Sequence, residues 1–123
     1  MSPPAVFVVD DEEVVRKSLS RLLRTFGYEA TPLPSAEAFL ESYTGDDAAC
    51  LLLDLRMPGM SGLDLIEELR RRQSRLPIIV MTGHTDIASM QRLKALDTLG
   101  FLEKPFPIAD LKALLEQWRE RPG

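Results

Sequence analysis

Short apolar runs alternate with amphipathic stretches from one end of this 123-residue chain to the other. Few architectures accept that order. AVFVV (5–9), CLLL (50–53) and IIVM (78–81) are continuous and mostly branched, as strands covered on both faces should be. YEATPL (28–33) and GFLE (100–103) are weaker and suit outer strands. Pro32 favours an edge position, because its nitrogen carries no hydrogen for a neighbouring strand.

Helical spacing fills the gaps. Val15, Leu19, Leu22, Leu23 and Phe26 share one face, with Arg16, Lys17, Ser20, Arg21 and Arg24 opposite and Gly27 as a stop signal. Ser35 opens a short second helix carrying Phe39, Leu40 and Tyr43. The third begins at Ser61, where S-G-L-D has the form of a capping box, and runs through Arg72. Ile87, Met90 and Leu93 mark a fourth. Ile108, Leu111, Leu114, Leu115 and Trp118 mark a fifth, with Pro107 near its first turn. Strand and helix alternating in this way imply an α/β fold, a five-stranded parallel sheet with five helices on both its faces. The common solution is the flavodoxin-like order 2-1-3-4-5, in which ligands bind beyond the carboxyl ends of the strands.

The length suits one domain covering residues 1–123. A net charge of -4 argues against general binding to nucleic acid or anionic membrane. Arg70, Arg71, Arg72 and Arg75 form the one basic cluster, expected as the solvated end of the third helix, where cations suit the dipole. Cys50 is the only cysteine, so no intramolecular disulfide can form, and its apolar neighbours suit an inert buried thiol. No apolar run approaches the roughly 20 residues of a membrane helix. The N-terminus turns acidic directly after AVFVV, unlike a secretory signal. A cytoplasmic location is expected, with no membrane partner.

The polar residues that end the strands bear on function. Asp10 and Asp11 end the first strand, Asp54 the third, Thr82 the fourth and Lys104 the fifth. Each alone is an ordinary loop residue. In the 2-1-3-4-5 order their strands are neighbours, so all five would gather in one depression. Clustered carboxylates repel one another unless a cation compensates. An all-oxygen site of one or two carboxylates, a backbone carbonyl and waters fits Mg2+. No D-x-D-x-D-G loop is present for calcium, and a single histidine leaves no zinc set. Magnesium beside a carboxylate, a lysine and a hydroxyl is the equipment of phosphoryl transfer, with the carboxylate as nucleophile. Neither GxxxxGK[ST] nor GxGxxG occurs, so the domain would accept phosphate from something brought to it rather than hold a nucleotide.

VVDDEE (8–13), LLDLRMPGMSGLDL (52–65), IIVMTGH (78–84) and FLEKPF (101–106) together resemble the receiver domain of bacterial two-component response regulators. The TGH and EKPF wording is most similar to the FixJ-type branch, and the resemblance spans essentially the whole chain. It implies a phospho-accepting signalling module rather than a turnover enzyme. Asp54 would take phosphate from the phosphohistidine of a sensor histidine kinase or phosphotransfer protein, and lose it by autodephosphorylation. Asp11, Asp54 and the main-chain carbonyl of Arg56 would ligate Mg2+, with Asp10 acting through water. Lys104 would bind the phosphoryl group, and a cis Lys104–Pro105 bond would fix where it points. Thr82 would hydrogen-bond a phosphoryl oxygen, and Phe101 would rotate inward as Thr82 moves. The face formed by the fourth helix, fifth strand and fifth helix would then switch. It would control a partner or an output domain, a transcriptional one for this branch, and a homodimer on phosphorylation fits the same scheme. The domain itself would not bind nucleic acid.

Some residues admit two readings. His84 suits either a solvent-facing loop or contact with a hydrolytic water. The Arg56 side chain stands where family members tune dephosphorylation by bulk. Phe101 could instead be permanent core, and Trp118 reads as core or interface packing. Asp97-Thr98 departs from the Gly-Ala pair of this branch. An acid near a helix C-terminus opposes the dipole, and no glycine supplies a left-handed cap there. Two rival functions stand beside the receiver. A haloacid-dehalogenase-type phosphatase would want Asp-x-Asp, where this chain has Arg56 in the second position. A receiver acting only as a protein-interaction module would not need the full set Asp10, Asp11, Asp54, Thr82 and Lys104.

Overall fold

A computed structural model of the chain describes residues 3–45, 48–83 and 87–120. Strands β1 (Ala5–Val9), β2 (Glu29–Leu33), β3 (Cys50–Asp54), β4 (Ile78–Thr82) and β5 (Gly100–Glu103) alternate with five helices. These are α1 (Glu13–Thr25), α2 (Ala36–Ser42), α3 (Gly62–Arg71), α4 (Ile87–Lys94) and α5 (Ile108–Glu120). The strands form one parallel sheet in the order β2-β1-β3-β4-β5, as the alternation predicts.

The continuous apolar runs lie where both faces are covered. Every residue of β3 and of β4 is buried, whereas β2 and β5, at the edges, are partly exposed. Successive side chains of a strand point to opposite faces, and two cores result. Val6, Val8, Leu52, Ile79 and Met81 pack with Leu19 and Leu23 of α1 and Leu111 and Leu115 of α5. Val9, Leu51, Leu53, Ile78 and Val80 pack with Phe39 of α2, Leu65 and Ile66 of α3 and Leu93 of α4. Trp118 belongs to the first core and stacks on Tyr28, with ring centroids 6.0 Å apart. Cys50 is buried, and burial pushes its thiol up to about 12, so it stays protonated and inert.

The helix ends follow their signals with one exception. The Ser61 hydroxyl accepts from the Asp64 N–H at 3.1 Å and the Asp64 carboxylate from the Ser61 N–H at 3.3 Å, the capping box read from S-G-L-D. Gly27 turns left-handed after α1, with φ +93°, and its N–H donates to the Arg24 carbonyl. α3 ends at Arg71, with Arg72 as its cap, and Gln73 rather than a glycine takes the left-handed turn, φ 65°.

Three surface expectations need correction. Ser20, placed on the polar face of α1, is only 2% exposed, and its hydroxyl has no hydrogen-bond partner. It stands one turn before Leu23, so it borders the apolar stripe, and a small side chain there is carried into the core. Ile108, placed on the apolar face of α5, is 55% exposed, because it opens the helix before the packed face begins. The arginine cluster is not uniformly solvated. Arg71 and Arg72 pair with Glu68 at the surface. Arg70 instead turns its guanidinium onto the carbonyls of Ser74, Leu76 and Asp97.

That contact also accounts for Asp97. α4 stops at Lys94, and Ala95 and Leu96 close its last turn by donating to Arg92 and Leu93. Asp97 therefore lies beyond the helix, with its carbonyl bound by Arg70.

Candidate phosphoryl-transfer site

The parallel order brings the ends of β1, β3, β4 and β5 to one rim of the sheet. Asp10 follows β1 and is 0% exposed; Asp54 is the last residue of β3 and 5% exposed; Thr82 is the last of β4 and also buried. Lys104 follows β5, and its main-chain N–H donates to the Thr82 carbonyl at 2.7 Å. The Lys104–Pro105 peptide is cis.

Lys104 joins the two buried acids. Its Nζ lies 2.9 Å from Asp10 Oδ2 and 3.6 Å from Asp54 Oδ1. The other Asp10 oxygen accepts the Glu12 N–H at 2.9 Å, and the Arg16 guanidinium donates to the Asp10 carbonyl at 2.8 Å. Asp10 is thus held from three sides.

Asp11 is exposed, and its carboxylate, with those of Asp10 and Glu12, forms a group whose oxygens lie within 4.8 Å of one another. Glu12 is the member that sequence reasoning did not select. Its signal was present in VVDDEE, two positions after Asp10. Asp54 is not one of this trio; Lys104 links it to Asp10.

The electrostatics follow from the geometry. Burial raises the Asp54 carboxyl, and the negative charges of Asp10 and Asp11 add to it. Lys104 and a hydrogen bond from the Arg56 backbone oppose the rise, which leaves Asp54 at about 6. Burial works against the Lys104 ammonium, but the Asp10 hydrogen bond and the charges of Asp54 and Asp10 outweigh it and hold the lysine above its ordinary value. A buried acid pushed up by other acids is one whose charge a further cation would stabilise.

The donors are all oxygens, two exposed carboxylates beside a buried one. That chemistry fits a hard divalent cation of the magnesium class. The Arg56 side chain is exposed. Phe101, on β5, is 38% exposed and so is not permanent core. With Leu102, Phe106 and Leu114 it lines a surface groove of about 450 Å³. His84 lies outside the described residues.

Residues 6–116 match the family described as the response regulator receiver domain. The transcriptional regulatory protein FixJ of Azorhizobium caulinodans is 44% identical over 108 residues, covering 88% of this chain and 51% of the relative. The FixJ of Bradyrhizobium diazoefficiens is 38% identical over 111 residues, covering 90% and 54%. The chain thus spans about half the length of these curated relatives. Among solved structures, that of FixJ-N superposes with a TM-score of 0.88 at 36% identity, covering 100% of this chain and 98% of that one. No described helix is long and apolar enough to cross a membrane. The fold, the rim of acids with their lysine, and these likenesses agree: the chain belongs to the response regulator receiver domain family, phospho-accepting domains of bacterial signalling.

Proposed function

We propose that Asp54 is the residue that accepts the phosphoryl group, and that the donor is the phosphohistidine of a sensor histidine kinase or phosphotransfer protein. The observation that carries this is the Lys104 ammonium standing between two buried carboxylates, 2.9 Å from Asp10 and 3.6 Å from Asp54. A carboxylate oxygen of Asp54 attacks phosphorus, the P–N bond breaks, and its electron pair leaves with the imidazole. The product is an acyl phosphate on Asp54. Lys104 is placed to hold a phosphoryl oxygen by charge, and Thr82, ending the adjacent strand, to donate its hydroxyl to another.

Asp11, Asp54 and the Arg56 carbonyl would hold Mg2+, with Asp10 acting through water; Glu12 is a further candidate. When bound, the metal supplies positive charge to the acid cluster and to the phosphoryl oxygens. The chain carries out its own phosphorylation and autodephosphorylation at Asp54 and turns over no other substrate. Residues 1–123 act as one receiver unit in the cytoplasm. Its output is a change at the face of α4, β5 and α5, read through Thr82 and Phe101, with homodimerisation or control of a transcriptional domain as the consequence.

Incubation with acetyl phosphate and Mg2+ tests the site. One base-labile phosphoryl group is expected on the wild-type chain and none on Asp54→Asn, which is nearly isosteric. Equal labelling of the variant would place the phosphate elsewhere.

A further inference from the structure

We infer that Gly62 is a positioning residue for the Asp54 carboxylate, an inference that rests on the phosphorylation reading above. Gly62 is the first residue of α3 and is buried. A Cβ built on it would stand 2.4 Å from the Asp54 carbonyl oxygen, 2.8 Å from Leu55 Cα and 3.1 Å from the Asp54 carbonyl carbon. All three are backbone atoms, so no side-chain rotation relieves the contact. Gly62 is not among the left-handed residues, so conformational freedom does not explain a glycine there. Alanine would be the better helix former at that position. What excludes a side chain is the close approach of helix to strand.

The approach is fixed from both sides. The Gly62 N–H donates to the Leu55 carbonyl at 3.0 Å, and the Leu55 N–H donates to the Met81 carbonyl of β4 at 3.0 Å. The peptide after Asp54 is therefore gripped between α3 and β4. α3 cannot simply step back, since Ser61 and Asp64 cap it and Leu63, Leu65, Ile66 and Leu69 are buried beneath it. Ordinary contact begins near 3.4 Å, so a methyl group at position 62 must part helix and strand end by about 1 Å. The Asp54 carboxylate and the Arg56 carbonyl both hang on the segment that moves. A misplacement of about 1 Å in a reacting group can cost on the order of 100-fold in rate.

The test compares wild type, Gly62→Ala and Leu115→Ala, a core variant on the far face of the sheet, for fold and for phosphorylation by acetyl phosphate with saturating Mg2+. Gly62→Ala should keep its circular dichroism spectrum and lose roughly 10- to 100-fold in maximal rate, with the dependence on acetyl phosphate concentration unchanged. Leu115→Ala, below its melting point, should keep the wild-type rate although its stability falls. Gly62→Ala at the wild-type rate, or a matching loss in Leu115→Ala, would overturn the positioning role. If Gly62→Ala does not fold, Ser61→Ala serves, because it frees the start of α3 without adding an atom beside Asp54. It should slow phosphorylation severalfold, and an unchanged rate counts against the inference. No labelling of wild type, or equal labelling of Asp54→Asn, defeats the site reading itself and the inference with it.

Discussion

Lys104 Nζ lies 2.9 Å from Asp10 and 3.6 Å from Asp54, so one ammonium serves two carboxylates that are almost wholly out of water. Removing one partner of such a set leaves an uncompensated buried charge, which costs about 3–5 kcal/mol. Lys104→Met should therefore destabilise strongly in urea melts, and Lys104→Met with Asp10→Asn should cost less than the sum of the two. Additive losses would show that the lysine and Asp10 are not coupled.

Asp54 gives a pH dependence whose sign is unusual for an aspartate. Its folded value, about 6, lies above the 3.8 of an unperturbed side chain, so the folded state binds the proton more tightly. Ionising Asp54 then costs stability: nothing below about pH 4, rising as pH climbs towards 6, and the full cost above. Asp54→Asn carries no such cost. In metal-free buffer the variant should gain on wild type between pH 4 and 6 and stay ahead by about 1–2 kcal/mol above it, a figure discounted for solvent screening. Urea melts across that range would show it, and a constant difference at all pH values would refute it.

Magnesium should reverse the balance for the wild-type chain. A cation bound by the folded acids and not by the unfolded chain stabilises by about 2.7 kcal/mol at 100 times its dissociation constant. The melting temperature should rise with Mg2+, and Asp11→Ala should remove the rise. A melting temperature indifferent to millimolar-scale metal would take the cation out of the site.

The switch has its own test. A Thr82 hydroxyl bonded to a charged phosphoryl oxygen offers on the order of 1.5–3 kcal/mol of difference between the two states. Thr82→Ala should still accept phosphate but lose the response of the Phe101 ring and of the amides of α4 and residues 95–99, read by NMR. If those signals respond as strongly in the variant, the coupling runs by another route.

The sheet order and the rim of Asp10, Asp11, Asp54, Thr82 and Lys104 were legible because a parallel α/β alternation leaves little choice of topology, and topology alone decides which strand ends are neighbours. Side-chain reach was not legible. Arg70 reads as one more surface arginine until the fold brings Asp97 within range of its guanidinium. Glu12 follows two aspartates in sequence, and only the turn at Asp10 carries it into the acid group. Ser20 was assigned by polarity, whereas burial is set by angle around the helix axis, and the stripe on α1 is wider than its leucines suggest. Gly62 was read as part of a capping box, and its nearness to Asp54 is a tertiary fact with no local signature.

The Arg70 clasp has a mechanical corollary. It holds the Asp97 carbonyl just past the end of α4, and Arg92, in the last turn of that helix, is ion-paired to Glu67 of α3 at 2.5 Å. α4 is thus moored near its C-terminal end, at the rim of the sheet away from Asp54. A rod moored at one end behaves as a lever with its fulcrum there. Any displacement of α4 should grow toward Ile87, the end that follows β4 in the chain, and be smallest at Lys94. A force applied from the Asp54 side would then act on the long arm, where it produces the most travel.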